Sequence, residues 1–496
     1  MAVAWWAGRD RVERTNFAAG LELARIPAAG MPRGAMLILG GDEVYPYASL
    51  ERYENQMCGP YRLALPKGAR SDLLALPGNH DWYDNLEAFR AVFCSGDAIG
   101  GWRTHQDASW FSARLPQGWW LWALDTGLEG NLNPSQREYF AEMAAKMVPG
   151  DQLVVCTPVP HWHLRERQAD NANDDELACI NGFLGEVVPN FVPTSLFLAG
   201  DSHVYAHYVQ QIPDEACASG ERIVHHVTSG GGGAFLHPTH NLAPKVPQSD
   251  NDPFAYQLEE HWPPRSVSRH TLGGSIRTLV VDRQSPALSV PFALLHGTFL
   301  LAATGIHART RSLADIAGRW PMYIVGVLAT AAFWFAIPAP NVADPLVHRA
   351  ARRTGLQHGL VQLLVLVAVT AATTALFHGS GWDRRNVALA VAGSAIGGLL
   401  ATGVFSTYLS SVNRRWRIHD NMAFSGRHIR GYKHFVRCRI DGETGDLTLF
   451  VVGIDTVHPG WASALAHAAV PPAGTLTLVD VIDIARGRPT PEGVVR

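Results

Sequence analysis

The stretch LALPGNHDWYDNL, Leu74 to Leu86, runs apolar, turns on Pro77 and Gly78, and then lays down Asn79, His80 and Asp81 in a row. A short apolar run bounded by Pro and Gly has the length and flanks of a buried strand. Asn, His and Asp bind cations and move protons, and here they sit where a strand end would hold them. Open α/β sheets keep their ligands in the loops that leave the carboxyl ends of strands. The tripeptide by itself is also an ordinary turn, so its meaning depends on partners elsewhere in the chain.

The pattern recurs. The runs MLIL (36–39), LLAL (73–76), WWLWAL (119–124), LVVC (153–156), LFLA (196–199) and IVHHV (223–227) alternate with helix-like stretches such as Pro134–Lys146. Near-continuous apolar character over a strand's length predicts burial on both faces. Most runs end in polar chemistry: Asp42, the Asn79-His80-Asp81 set, Asp125, Thr157, and Asp201-Ser202-His203. The last ends in Ser229 and the glycine run Gly230–Gly233. This repetition predicts one composite site along the strand ends.

The 496 residues carry a formal charge of -3, with 17% charged residues. Nothing in that balance points to nucleic acid, and a membrane-embedded part accounts for the low charge content. There are 22 histidines but only six cysteines (Cys58, Cys94, Cys156, Cys179, Cys217 and Cys438), with no CxxC spacing. That argues against a disulfide scaffold or a structural zinc cluster. The N-terminal apolar stretch is too short for a signal peptide, and Arg9, Asp10, Arg11 and Glu13 follow it at once. The first half is therefore expected in the cytoplasm. Oligomeric state is not readable.

Residues 241 to about 272 are rich in Pro, Ser and charge and read as a linker or surface excursion. Four apolar stretches follow: Leu288–Ile306, Met322–Ile337, Gly359–Phe377 and Val387–Val412. The last two are uncharged and long enough, at ~20 residues, to cross a bilayer. Arg clusters and Trp320, Trp334, Trp382 and Trp416 flank the group, as at membrane interfaces. After Asn413 polar patterning returns, and YKHFVRCRID and DLTLFVVGID around GETG (442–445) predict a β-hairpin. With an even number of spans this tail lies on the side of the N-terminal domain and can pack on it.

The order GGD (40–42), GNHD (78–81), GDSH (200–203) resembles the calcineurin-like metallophosphoesterase superfamily. The strings GGDEVYP, PGNHDWYD, GGWRT, WWLWALD, GGGGAFLHPTH and AFSGRHIRGYKHF are similar to a membrane-attached branch of it, over nearly the whole chain. The resemblance implies an α/β fold: a four-layer αββα sandwich over 1–285, about four transmembrane helices over 286–412, and a short C-terminal β-segment over 413–496. It implies hydrolysis of a phosphomonoester or phosphodiester with two divalent cations, Mn²⁺ first, with Fe, Mg or Zn as alternatives. Asp42 would bridge cations about 3.5–4 Å apart. Asn79 would ligate one and His203 the other. His80 would stay off the metals and give a proton to the leaving oxygen, with Asp81 orienting it. Asp201 stands where the superfamily more often has His, and a carboxylate ligand there favours harder cations than zinc.

Two blocks depart from the pattern. The isolated-His block should follow QLVVC, where the chain has Cys156 and Thr157; His161 and His163 come slightly later, and His161 is the candidate for that ligand. No D-x-H or D-x-G-D ends an apolar run before Asn16, so an N-terminal strand and one cation's ligand are expected to be missing. That keeps open a second reading, a catalytically impaired membrane scaffold or binding module. Arg103 in GGWRTHQ is a candidate bidentate phosphate clamp, and His237 and His240 are candidates to line the pocket. The glycine run lacks the Lys-Ser/Thr of a P-loop. The expected partners are a phosphate ester and the lipid bilayer, with a multi-pass topology that leaves the catalytic domain in the cytoplasm.

Overall fold

The structure, a computed structural model, describes residues 35–64, 70–128, 130–164, 172–214, 220–232, 235–249, 252–273, 292–298, 345–377, 382–425, 429, 431–456 and 476–486. The chain divides into two units. The first holds the residues up to 266, apart from 167–170, together with those from 428 onwards.

Three sheets make up the first unit. β1 (Met36–Leu39), β2 (Ser71–Ala75) and β3 (Trp102–Thr104) form a parallel sheet. The second sheet contains β4 (Phe111–Arg114), β5 (Trp119–Ala123), β6 (Gln152–Thr157), β7 (Thr194–Ala199), β8 (Tyr205–Pro213), β9 (Glu221–Ser229), β10 (Lys245–Val246) and β11 (Tyr256–Trp262). Their order is β10-β11-β8-β9-β7-β6-β5-β4, with β5, β6, β7 and β9 parallel and the rest antiparallel. The third is an antiparallel meander of β12 (Lys433–Ile440), β13 (Leu447–Ile454) and β14 (Leu476–Ile484).

All six apolar runs are strands, and WWLWAL explains why they read as continuous. Strand side chains alternate between faces. Trp120, Trp122 and Leu124 enter one apolar cluster, with helices α1 (Pro134–Ala144) and α2 (Ala172–Val187). Trp119, Leu121 and Ala123 enter another. Each such fully buried side chain stabilises by ~1.5–3 kcal/mol. α1 begins where the sequence predicts, with Asn133 accepting the Gln136 N–H at 2.9 Å and Pro134 in its first turn.

The cluster on Trp119 is shared by all three sheets. It joins Leu74 and Leu76 near β2, Val154 and Leu198 of β6 and β7, and Val436, Leu449, Val451 and Ile482 of the C-terminal meander. The predicted hairpin is β12 and β13, and it belongs to the same core as the N-terminal strands. A third cluster sets Leu39, Leu73 and Ala75 against Tyr53, Met57, Phe89 and Phe93 from helical stretches that follow β1 and β2.

One expectation changes. Residues 241–272, read as a linker or surface excursion, contain β10, β11 and the helix Arg265–Gly273. β11 (YQLEEHW) keeps buried Tyr256 and Trp262 at its ends with charge between, too sparse an alternation to stand out against the flanking Pro and Asp. β14 was also not foreseen. The N-terminal stretch with the vacant first block lies outside the described residues.

In the second unit, α3 (Pro345–Ala375) and α4 (Arg384–Trp416) are two helices long and apolar enough to cross a membrane. Both extend beyond the predicted spans at their N-terminal ends. Small residues let their neighbours approach closely. A Cβ added at Gly393 would lie 2.3 Å from the Thr373 side chain, and one at Gly397 the same distance from the His296 ring. Leu360, Leu364 and Val367 of α3 and Val391 and Ile396 of α4 stay exposed. Met322–Ile337 lies outside the described residues, and Leu288–Ile306 is described only over 292–298, which is helical.

Candidate active site

β1 and β2 end side by side, with the Leu76 N–H donating to the Leu39 carbonyl at 3.0 Å. Just beyond them a single buried carboxylate ties the two loops together. Asp81 accepts from the backbone N–H of Gly78 (2.9 Å), Asp42 (2.8 Å) and Glu43 (3.4 Å), and from the Tyr53 hydroxyl (2.5 Å). The Asp42 side chain in turn accepts the His80 N–H at 3.0 Å. The oxygens of Asp81 thus hold the two loops, and Asp81 reaches His80 through its charge. The imidazole is held by Nδ1 on the Pro46 carbonyl at 2.6 Å and by the Tyr45 ring, 3.7 Å away between centroids. Neighbouring Glu43 is fully buried, and burial followed by the charge of Asp81 pushes its carboxyl well above the usual range.

The loop after β7 supplies the second half. Asp42 and Asp201 both stand in the left-handed backbone region, at φ 56° and 50°. Non-glycine residues adopt it seldom, Asp more readily than most. Burial pushes the Asp201 carboxyl up to about 6. Asp42 is raised well above the usual range by burial, then by the charges of Asp81 and Asp201. The carboxylate at the end of β7 thus acts on the one at the end of β1.

His203 is buried, stacked on His237 at 4.3 Å and edge-on to Phe235 at 4.6 Å. Burial, then His237 and Lys433, drive its imidazole well below the usual range, and His80 adds to this. It is therefore neutral, and its buried Nδ1 has no hydrogen-bond partner among the described residues. The charge of Asp201 thus acts on Asp42, and that of His80 on His203, across the loops that follow β1, β2 and β7. Asn79 stands in the same loop, its amide donating to the Tyr83 hydroxyl at 3.3 Å.

The remaining candidates divide. His237 joins the group, its Nδ1 accepting the His203 backbone N–H at 3.1 Å. His240 is buried in the turn Thr239–Asn241. His161 pairs with Glu176 of α2 at 3.1 Å. One helical step on, His163 bonds Ser202 Oγ and Thr228 Oγ1, both at 3.2 Å, bracing the loop that carries Asp201 and His203. Arg103 lies on β3. Its register partner is Asp72 in the first half of β2, and its guanidinium is ion-paired there at 2.6 Å, away from the strand's carboxyl end.

Sequence reasoning missed the C-terminal contribution. The N–H of buried His434 donates to the Gly231 carbonyl at 3.2 Å, and Gly231 N–H donates back to the His434 ring at 3.3 Å. Glycine is needed there, since a Cβ would lie 2.1 Å from that ring. From β14, Asp480 accepts the Tyr205 hydroxyl at 2.6 Å and His207 Nδ1 at 3.0 Å; His207 Nε2 meets His225 Nδ1 at 3.0 Å. The available signal was the string RGYKHF, which carries His434.

Among the described residues, no three His, Cys, Asp or Glu side chains form a group that could hold a metal ion. The chemistry of the donors still fits one. Buried Asp42 and half-buried Asp201, with a neutral imidazole whose Nδ1 has no hydrogen-bond partner among the described residues, form an arrangement a hard divalent cation would relieve.

The fold and site together define a mixed α/β chain with a buried carboxylate–imidazole site at its strand ends and two apolar helices. No family model matches the chain, and no curated protein does. A solved structure titled "Structure of PhoD" aligns with 12% identity and a TM-score of 0.30, over 44% of this chain and 54% of that one. The chain thus spans about half the length of that structure, and a likeness of this size carries no weight for fold or chemistry.

Proposed function

We propose that the chain is a metal-dependent phosphoester hydrolase held at a membrane. The observation that carries this is the pair Asp42 and Asp201: carboxylates from two different strand ends, one buried and one half-buried, with the charge of Asp201 acting on Asp42 and that of His80 on neutral His203. On this reading the three apolar clusters are the seams of a four-layer αββα sandwich that includes the C-terminal strands. The catalytic body runs over 1–285, the bilayer segment over 286–412, and 413–496 returns to the catalytic body.

Asp42, Asp201, Asn79 and His203 would hold divalent cations, Mn²⁺ foremost. When bound, such cations supply charge neutralisation at phosphoryl oxygens and an acidified water. The remaining chemistry belongs to His80. A carbonyl can only accept, so the Pro46 contact fixes the proton of Nδ1 and leaves Nε2 to handle the moving one. Burial lowers the pKa of His80, while the Pro46 carbonyl and the charge of Asp81 oppose that shift. In its protonated form His80 gives the Nε2 proton to the departing alkoxide or phenoxide oxygen, and water restores it. His203 stays neutral, the form in which an imidazole can ligate.

A membrane setting follows from α3 and α4, whose small residues face neighbours while Leu360, Leu364, Val391 and Ile396 face outwards. Such an outward surface is costly in water and favourable in lipid. Residues on both chain sides of these helices share one apolar core, so the number of crossings between them is even. The departure from the isolated-His block, where Cys156 and Thr157 stand, leaves one other reading, a catalytically impaired membrane scaffold or binding module. Mn²⁺ titration of the purified full chain, with turnover of 4-nitrophenyl phosphate and its bis-ester, decides. Metal-dependent turnover is expected; Mn²⁺ binding without it selects the scaffold.

A further inference from the structure

We infer that Tyr83 is a positioning residue that fixes both Asn79 and His80, an inference that rests on the hydrolase reading. Tyr83 sits in the short turn Asp81–Asp84 that follows the Asn79-His80 pair, and it is 53% exposed. Burial therefore contributes little at this position, and core packing does not explain the ring.

Its contacts do. The Asn79 amide nitrogen donates to the Tyr83 hydroxyl at 3.3 Å. An amide has two chemically opposite ends, and only the oxygen ligates a cation. With Nδ2 committed to Tyr83, Oδ1 is the end left for the site. The Tyr83 ring meanwhile meets His80 edge-on, centroids 4.9 Å apart at 62°, while Tyr45 covers another side of the imidazole at 3.7 Å and 32°. With Nδ1 on Pro46, the imidazole is gripped by two rings and one carbonyl. One exposed phenol thus sets the amide of the ligand residue and the plane of the proton donor.

The two roles separate chemically. Tyr83→Phe keeps the ring and removes the hydroxyl; Tyr83→Leu removes both. Mn²⁺ affinity of the full chain, read by electron paramagnetic resonance and independent of turnover, is expected to weaken about tenfold in both variants, as for other groups that orient a ligand. The rate ratio between an alkyl phosphate and 4-nitrophenyl phosphate is expected to fall only in Tyr83→Leu. The poorer leaving group depends more on His80. Melting temperatures without metal should match the parent, since the side chain is exposed.

Unchanged Mn²⁺ affinity in Tyr83→Phe overturns the amide role, and an unchanged rate ratio in Tyr83→Leu overturns the imidazole role. A parent that binds Mn²⁺ but hydrolyses nothing sinks the hydrolase reading, while the affinity comparison still judges Tyr83. A parent that binds no Mn²⁺ overturns both.

Discussion

Gly78 leaves Asp42 no spare room: a Cβ added at Gly78 would lie 2.2 Å from Asp42 Oδ1 and 2.6 Å from its backbone nitrogen. Gly78→Ala must therefore push the carboxylate and its loop aside. Overpacking of this kind costs about 1–3 kcal/mol. A lowered melting temperature and a loss of Mn²⁺ affinity of at least about tenfold are expected together. Unaltered Mn²⁺ binding in a folded Gly78→Ala protein would show that Asp42 is no ligand.

Asp42→Asn and His80→Ala should part company. Removing the Asp42 charge is expected to abolish Mn²⁺ binding and turnover alike. His80→Ala should keep the metal and lose about 10²–10⁴-fold in kcat, the usual share of a proton donor. Equal metal retention in the two variants would sink the division of roles.

Acid should loosen β8 from β9 and then from β14, in two stages. His225 is pushed down to about 4 by burial and by His207 beside it. Between pH 6.5 and 4 the unfolded chain takes up that proton and the folded chain does not, so stability falls with pH across that window. Burial raises Asp480, but the bonds from His207 and Tyr205 outweigh it and leave the carboxyl below its ordinary 3.8. Its contribution is complete above 3.8 and is lost as pH falls through the lower folded value. His225→Gln should flatten the upper stage and Asp480→Asn the lower one, in urea melts followed against pH. Asp480→Asn should also cost on the order of 1–2 kcal/mol at neutral pH.

Leu449→Ala tests whether the C-terminal meander belongs to the catalytic body. Leu449 is fully buried in the cluster shared with Trp119 and Leu198. A loss of about 2–5 kcal/mol is expected, seen as a lower melting temperature reported by tryptophan fluorescence of β5. A melt in which β5 is indifferent to the substitution would separate the two.

The strands and their polar ends were legible because each buried run is apolar on both faces and stops where chemistry begins. Asp42, Asn79, His80, Asp201, His203 and His237 follow from that rule. Their roles were less legible, because a role is set by contacts between distant loops. Asp81 lies beside His80 in sequence, but its oxygens are claimed by Asp42, Glu43 and Tyr53. His161 and His163 are equivalent candidates in sequence, and only the direction of one helical turn sends the first to Glu176 and the second to Ser202. Arg103 carries no sign that Asp72 is its register neighbour. Tyr45 and Tyr83 read as ordinary turn aromatics until their rings are seen against His80.

The same sheared connectivity has a consequence for biogenesis. Val436, Leu449 and Ile482 fill a core that also holds Leu74, Trp119 and Leu198, translated more than 200 residues earlier. While the intervening apolar helices are being made, the nascent catalytic body has an incomplete core and exposed apolar surface of the kind that aggregates. Pairings this distant in sequence also close slowly. Insertion of the helices into a bilayer would hold the two halves at one surface and shorten the search. Cell-free synthesis without vesicles should then give a protease-sensitive, aggregating product, and synthesis with vesicles present a resistant one. The bilayer in this view acts as a folding template before it serves as an anchor.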